Sequence, residues 1–129
     1  MTRTTLSNTA ERLMQLPKTI QEIQVEILSL TGESNRISES ISNIEAKIKM
    51  AINSEVDANG KKVFSNAEAR EAELVERTQY NSELIELRNE HADLNRINQE
   101  KKIEVEALSN EQRNIRSILW FFAGHDDQL

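Results

Sequence analysis

The side chains that do acid–base, nucleophilic or metal chemistry in proteins are not arranged for catalysis in this sequence. The two histidines, His91 and His125, lie far apart, and no G-x-S-x-G, phosphate-loop or H-E-x-x-H motif occurs. The chain has no cysteine, so thiolate nucleophiles and thiolate metal ligands are absent. Glutamates one helical turn apart are frequent, but 22 acidic residues make such pairs unavoidable. We therefore predict no enzyme activity and no cofactor.

One short segment resembles the opening of a calcium-binding loop. Glu55-x-Asp57-x-Asn59-Gly60 places oxygen ligands at alternate positions and glycine at the sixth. The twelfth position is Asn66, where the calcium loop requires a bidentate glutamate. We interpret the segment as a tight turn and predict no metal site.

The composition suits a helical protein with few turns. Of 129 residues, 37% are hydrophobic, 4% are aromatic and 29% are charged, with three glycines and one proline. No apolar run approaches the ~20 residues of a membrane span, and no signal-peptide stretch follows Met1. We expect a cytoplasmic protein that makes no membrane contact and takes no small-molecule substrate.

Two hydrophobic seams with alternating spacings of three and four residues run through the chain. The first is almost purely aliphatic and comprises Leu6, Thr9, Leu13, Leu16, Ile20, Ile23, Ile27, Leu30, Ser34, Ile37, Ile41, Ile44 and Ile48. The second comprises Tyr80, Leu84, Leu87, His91, Leu94, Asn98, Lys101, Val105, Leu108, Gln112, Ile115, Leu119 and Phe122. Two seams that flank one polar segment predict an all-α fold, a long antiparallel helical hairpin of the coiled-coil type.

Capping and turn residues set the expected boundaries of the helices. An Asn8–Glu11 capping box begins the first helix, and Pro17 either kinks that helix or begins it. A Ser65–Glu68 capping box begins the second helix, and Gly124 caps its end. We expect a single domain with a helix over about 8–55, a loop over about 56–64, a helix over about 66–123 and a frayed tail at 124–129.

The loop and the seams together predict a register. Asn59-Gly60 forms the turn, with Val56 and Val63 paired across it as a miniature hairpin. Folding the chain back about this turn places Ile41 opposite Tyr80, Ile27 opposite Leu94, Leu16 opposite Val105 and Leu6 opposite Ile115. The polar residues of the second seam then oppose the first seam, as His91 with Leu30, Asn98 with Ile23, Lys101 with Ile20 and Gln112 with Thr9. Polar seam residues of this kind select a register at a cost in stability.

Two regions are candidates for contact with other molecules. Trp120, Phe121 and Phe122 are consecutive, so one hairpin cannot bury all three, and they are the candidate contact with a partner or a second copy. Apolar residues outside the seams also need cover, which favours assembly of the hairpin into a larger homo-oligomeric bundle. At the loop end, the candidate contacts with nucleic acid or a partner are Lys47, Lys49, Lys61, Lys62, Phe64 and Arg70.

The segment from Val56 to Leu74 resembles a recurring motif of small bacteriophage helical proteins. The motif is carried by Asn59-Gly60-Lys61, Phe64-Ser65 and Arg70 with Glu73-Leu74. The order of helix, polar loop, Phe-Ser cap and long second helix is similar to phage recombination mediators. The resemblance implies an oligomer that helps to load a recombinase onto single-stranded DNA in a bacterial host.

Three functions follow as hypotheses. The first is a non-catalytic oligomeric coiled-coil protein that acts through protein contacts, as a phage-type accessory factor in DNA recombination or replication. The second is a direct single-stranded DNA binder, in which an oligomeric ring gathers the loop lysines. The third is an inhibitor of a host or defence nucleic-acid enzyme that uses an acidic surface, since the net charge of -6 lies wholly beyond Phe64.

Overall fold

A computed structural model describes residues 2–126, with side chains through residue 124, and the described chain is all-α. Its three helices are α1 (Arg3–Ser54), α2 (Ala67–Gln79) and α3 (Ser82–Asp126). The first half of α1 packs against the second half of α3, and the second half of α1 packs against the first half of α3. The ion pairs of Arg12 with Glu111 and of Glu45 with Arg88 belong to these two contacts. The all-α helical hairpin predicted from the two seams is confirmed.

The first helix begins earlier than predicted and passes through its proline. Thr2 caps it, because the Thr2 hydroxyl oxygen accepts a hydrogen bond from the backbone N–H of Thr5 at 3.1 Å. The Asn8–Glu11 capping box is therefore not the start. Pro17 lies in the interior of α1 on its exposed side, where the carbonyl group of Leu13 loses its helical donor but can bond to water.

The predicted second helix, 66–123, is two helices. Asn66 caps α2, since its side-chain oxygen accepts from the N–H of Ala69 at 2.7 Å, so the predicted Ser65 cap is wrong by one residue. The helix ends at Tyr80, and Asn81 caps α3 by accepting from the N–H of Leu84 at 2.9 Å. The Asn81 side chain bonds to a backbone N–H group and so starts a new helix, although the seam spacing alone predicted one continuous helix.

The far end of the second helix also differs from the prediction. The backbone of α3 continues past Gly124 to Asp126, so Gly124 is a helical residue and not a cap. Its φ is not in the left-handed region, which among the described residues only Gly60 adopts. The rest of the predicted frayed tail, 127–129, lies outside the described residues.

The described chain divides into two compact units, and the single domain expected from the sequence stays a prediction. The first unit contains residues 2–31 and 96–126, and its core is the buried cluster of Leu16, Ile20 and Ile115. Around this core pack the half-buried side chains Leu13, Val105, Leu108 and Leu119. The predicted pairs Leu16 with Val105 and Leu13 with Leu108 thus belong to one cluster.

The second unit contains residues 32–95. Its buried side chains come from all three helices, with Ile37 and Ile52 from α1, the polar Thr78 from α2 and Leu84 from α3. The Thr78 hydroxyl donates to the backbone carbonyl of Leu74 at 2.8 Å, which satisfies this polar group without breaking the helix. The short helix α2 is therefore part of the core of this unit.

The two seams face inward almost throughout. Every residue of the first seam is buried or half-buried, and so is every residue of the second except its first. That exception, Tyr80, has 73% of its surface exposed. It lies in the break between α2 and α3, so helical spacing from Leu84 does not extend back to it, and its predicted contact with Ile41 is wrong.

The register differs from the prediction in the middle of the hairpin. The Asn98 side chain donates to the hydroxyl of Thr31 at 3.0 Å, about two helical turns along α1 from the predicted Ile23. Likewise, the Lys101 ammonium pairs with the Glu26 carboxylate at 2.8 Å, beyond the predicted Ile20. The prediction folded one straight helix directly back onto α1, whereas the chain interposes α2 and a break before α3 begins.

The buried Asn98 gives a test of what a polar seam residue costs. Its Oδ1 atom has no hydrogen-bond partner, and only 8% of its surface is exposed. Leucine has nearly the shape of asparagine, so Asn98→Leu removes this unsatisfied acceptor. The freed Thr31 hydroxyl can bond to the preceding turn, as Thr9 and Thr19 do on the same helix. We expect Asn98→Leu to stabilise the fold by about 1 kcal/mol, or on the order of 4 °C in thermal melting followed by circular dichroism.

The matched control for this substitution is Asn114→Leu. Asn114 lies on the exposed side of α3, so the control reports only the higher helix propensity of leucine. If Asn98→Leu melts no higher than Asn114→Leu, burial of the unsatisfied amide oxygen does not destabilise the seam.

An ion pair in the first unit makes stability depend on pH. The Arg12 guanidinium donates to both carboxylate oxygens of Glu111, at 2.8 and 3.1 Å, and this hydrogen bonding lowers the pKa of Glu111 from its ordinary value. A lowered pKa in the folded state means that the pair stabilises the fold above the unfolded pKa of about 4.3. That contribution is lost as the pH falls through the lowered pKa of Glu111.

We expect the melting-temperature difference between the wild type and Glu111→Gln to be present at pH 7 and to shrink as the pH falls toward 3. Thermal melts across this range measure the difference, with Glu106→Gln as the control because Glu106 has no ion pair in the described structure. A difference for Glu111→Gln that does not vary with pH would contradict a titrating Arg12–Glu111 pair.

Candidate interaction surfaces

The three consecutive aromatic residues divide between the core and the surface. Successive residues of a helix are about 100° apart, so Phe122, which continues the seam of Ile115 and Leu119, is half-buried. Trp120 and Phe121 point outward, with 80% and 51% of their surfaces exposed. The rings of Phe121 and Phe122 pack edge to face, with centroids 5.5 Å apart and an interplanar angle of 89°. This contact fixes the direction of Phe121 beside the exposed indole.

Basic side chains lie next to the exposed aromatic rings. Arg116 lies one turn before Trp120, and these two residues line an open groove with Ser117 and Phe121. Arg113 lies one further turn back and donates a hydrogen bond to the Asn110 side chain. We call Arg113, Arg116, Trp120 and Phe121 the aromatic surface. Among the described side chains, no carboxylate forms an ion pair with either of these arginines.

The part of the first unit around the aromatic surface is basic. Residues 2–18 of α1 pack along residues 107–124 of α3, and a groove between them is lined by Asn8, Arg12, Glu111 and Ile118 among others. These two stretches contain five basic and two acidic residues, in a chain whose net charge is -6. In these two described stretches, the exposed aromatic rings therefore lie among more basic than acidic side chains, although the chain as a whole is acidic.

The loop between α1 and α2 is a tight hairpin. The Asp57 carboxylate accepts from the backbone N–H groups of Asn59 and Lys61, at 2.8 and 3.0 Å, and Gly60 has a φ of 76°. A tight hairpin of this kind requires a residue with left-handed backbone angles, and Gly60 supplies it. Val56 pairs with Lys62, so the predicted pairing of Val56 with Val63 is wrong by one residue.

Two of the predicted loop contacts hold the loop against α2. The ring of Phe64 is half-buried beneath the guanidinium of Arg77, whose central carbon lies 5.7 Å from the ring centroid. Arg70 donates to the backbone carbonyl of Phe64 at 3.3 Å. Arg77 also donates to the carboxylates of Glu55 and Glu73, at 2.6 and 2.7 Å. The hydrogen bonds to Glu73 and Glu55 raise the pKa of Arg77, and the bond to Glu73 has the larger effect. Phe64 and Arg70 are both engaged in contacts within the unit.

The predicted lysines of the loop end are all exposed. Lys47 and Lys49 lie on α1, and Lys61 and Lys62 lie in the loop. Lys49 lines a small cavity of about 190 Å³ with Ile52, Arg70, Glu71 and Leu74 among others. The acidic Glu71 lies in that lining, and Asp57 lies in the loop, so the lysines are interspersed with carboxylates.

The polar residues of the second seam lie at two depths. Asn98 is buried, while His91, Lys101 and Gln112 are half-buried. The Lys101 side chain extends out to Glu26, whose carboxylate raises the pKa of Lys101 through a direct hydrogen bond. The Nδ1 atom of His91 lies 3.4 Å from the side-chain nitrogen of Asn95, and the Asn95 oxygen accepts from the buried Ser34 at 3.0 Å. The register-setting role of these residues stays a prediction.

One exposed region was not identified from the sequence. The junction of α2 and α3 exposes Val75, Glu76 and Tyr80, and Glu83 is exposed in the first turn of α3. The signal for this junction was present, since Asn81 followed by Ser82-Glu83 has the composition of a helix start. The uninterrupted seam spacing concealed it.

Among the side chains described, those of residues 2–124, no group of three or more histidine, cysteine, aspartate or glutamate side chains is gathered in a way that suits a metal ion. No helix in this part of the chain is both long and apolar enough to cross a membrane.

Comparisons with known proteins give no relative from which a function can be carried over. No family model matches the chain, no curated protein matches it, and no solved structure matches it.

Proposed function

We propose that this chain is a non-catalytic helical-hairpin protein that self-associates and acts through protein contacts, with Trp120, Phe121 and Phe122 at the contact. The observation that carries the proposal is the exposure of Trp120 next to Phe121. An indole with four-fifths of its surface in water gains on the order of 2 kcal/mol when a partner covers it. Tryptophan and arginine are also the side chains most enriched at the energetic centres of protein interfaces.

Further apolar side chains of the same unit support association. Val25 and Leu28 of α1 and Ile103 of α3 are exposed, because the seam covers only one stripe of each helix. A second copy or another protein that packs along these helices removes this surface from water. The loop end gives weaker support to direct DNA binding, since Phe64 and Arg70 are engaged within the unit and carboxylates surround the lysines.

The proposal includes a role as an accessory factor in DNA recombination or replication. Its support is the resemblance of the 56–74 segment to phage recombination mediators, which are themselves oligomeric.

The test is the mass of the protein in solution. We expect light scattering after size-exclusion chromatography to give a mass above the 14.8 kDa of one chain. The double variant Trp120→Ser/Phe121→Ser should lower that mass toward a single chain and weaken association at least tenfold. Circular dichroism should show unchanged helix content, because both side chains are exposed.

The control is Met14→Ser, which removes another strongly exposed apolar side chain of the same unit and leaves the aromatic rings in place. It should leave the mass unchanged. A wild-type protein that remains a single chain at all concentrations would disprove self-association, and an undiminished mass in the double variant would remove the aromatic residues from the contact.

A further inference from the structure

The charges of the chain are segregated along its length. Residues 2–18 and 107–124, which pack together in the first unit, hold five basic and two acidic residues. Residues 67–93, which form α2 and the start of α3 in the second unit, hold eight acidic and three basic residues. Those three arginines are engaged internally, as Arg70 with the Phe64 carbonyl, Arg77 with Glu55 and Glu73, and Arg88 with Glu45. The second unit therefore has an unbalanced acidic surface.

Part of that acidic surface also carries apolar side chains. At the end of α2, Val75 and Tyr80 expose 56% and 73% of their surfaces. Glu76 lies between them in the chain, Glu83 lies in the first turn of α3, and both are exposed. No ion pair among the described residues involves either glutamate. We call Val75, Glu76, Tyr80 and Glu83 the junction surface.

The aromatic surface and the junction surface are chemically complementary. One presents Trp120 and Phe121 beside two arginines, and the other presents Val75 and Tyr80 beside two glutamates. Apposition of the two surfaces covers apolar area on both sides and brings guanidinium groups to carboxylates, which form the strongest side-chain ion pairs. Apposition of two aromatic surfaces would instead bring four arginines together without a counter-charge.

We propose that the aromatic surface of one copy binds the junction surface of a second copy, so that the chain associates head to tail. This inference rests on the proposed function, because it names the partner of the same aromatic residues. A two-fold dimer makes this contact twice, and a ring or an open chain of copies makes it once between each pair of neighbours. Because ion pairs contribute, association weakens as the salt concentration rises.

The experiment uses two variants that each disable one surface. Trp120→Ser/Phe121→Ser disables the aromatic surface, and Glu76→Arg/Glu83→Arg disables the junction surface by reversing its charge. We expect each variant alone to be a single chain at concentrations where the wild type is an oligomer. An equimolar mixture should form one intact contact and give a 1:1 complex of about twice the 14.8 kDa chain mass, with nothing larger. The matched control for the charge reversal is Glu104→Arg/Glu106→Arg, which alters two exposed glutamates of α3 outside both surfaces and should associate as the wild type does.

Other outcomes separate this inference from the proposed function. If Glu76→Arg/Glu83→Arg alone still forms dimers while Trp120→Ser/Phe121→Ser does not, the aromatic contact stands and the head-to-tail inference fails. If Trp120→Ser/Phe121→Ser associates as the wild type does, the proposed function fails as well.

A nucleic-acid partner is tested with the same protein. The chain has one tryptophan, so the fluorescence of Trp120 reports directly on its surface. The probe is a 20-nucleotide oligothymidylate. If it quenches this fluorescence in the Glu76→Arg/Glu83→Arg variant and dissociates the wild-type assembly, the aromatic surface binds single-stranded DNA and the inference is overturned. No quenching, with the assembly intact, supports a second copy as the partner.

Discussion

Burial of one aliphatic stripe on each long helix is the constraint on which the rest of this structure depends. A stripe with alternating spacings of three and four residues covers one side of a helix, so α1 and α3 bury each other's apolar side chains only along a narrow strip. The core of the first unit, around Leu16, Ile20 and Ile115, is correspondingly small. In the first unit, where no third helix packs against them, the other sides of both helices face outward. The exposed apolar and aromatic residues are thus a direct result of folding a long chain into so few elements.

The same constraint limits how a polar residue in the seam is satisfied. The buried Asn98 side chain donates to Thr31, but its Oδ1 atom has no hydrogen-bond partner. Side chains at the edge of the seam reach outward, as Lys101 does to Glu26, and so lock helix against helix with ion pairs near water. In the second unit, Arg77 organises the loop in a comparable way by contacting Phe64, Glu55 and Glu73 at once.

Seam spacing predicted the fold class and the inward faces of the helices because it records a collective property of many residues. It did not predict the break at Tyr80, since one asparagine that caps a helix competes locally with a pattern that continues on both sides of it. The register failed for the same reason, as α2 uses chain that the prediction assigned to a straight second helix. Trp120 and Phe121 were identified from their adjacency, yet the charges around them depend on which stretch of α1 packs alongside. That information is in the three-dimensional contacts and not in the order of residues.

The sequence distances that the contacts span have a consequence for how the hairpin forms. Side-chain contacts between separate elements join residues 22 apart at Arg77 and Glu55, 43 apart at Arg88 and Glu45, 61 apart at Ser34 and Asn95, and 99 apart at Arg12 and Glu111. Closing the longest of these loops directly costs about 1.3 kcal/mol more chain entropy than closing the shortest. We therefore expect folding to begin beside the loop and to proceed away from it, with each closed pair shortening the loop that the next must close. The open end of the described hairpin closes last, so we expect the backbone amide hydrogens of Trp120 and Phe121 to exchange faster than those of helical residues beside the loop, and a bound partner to slow that exchange.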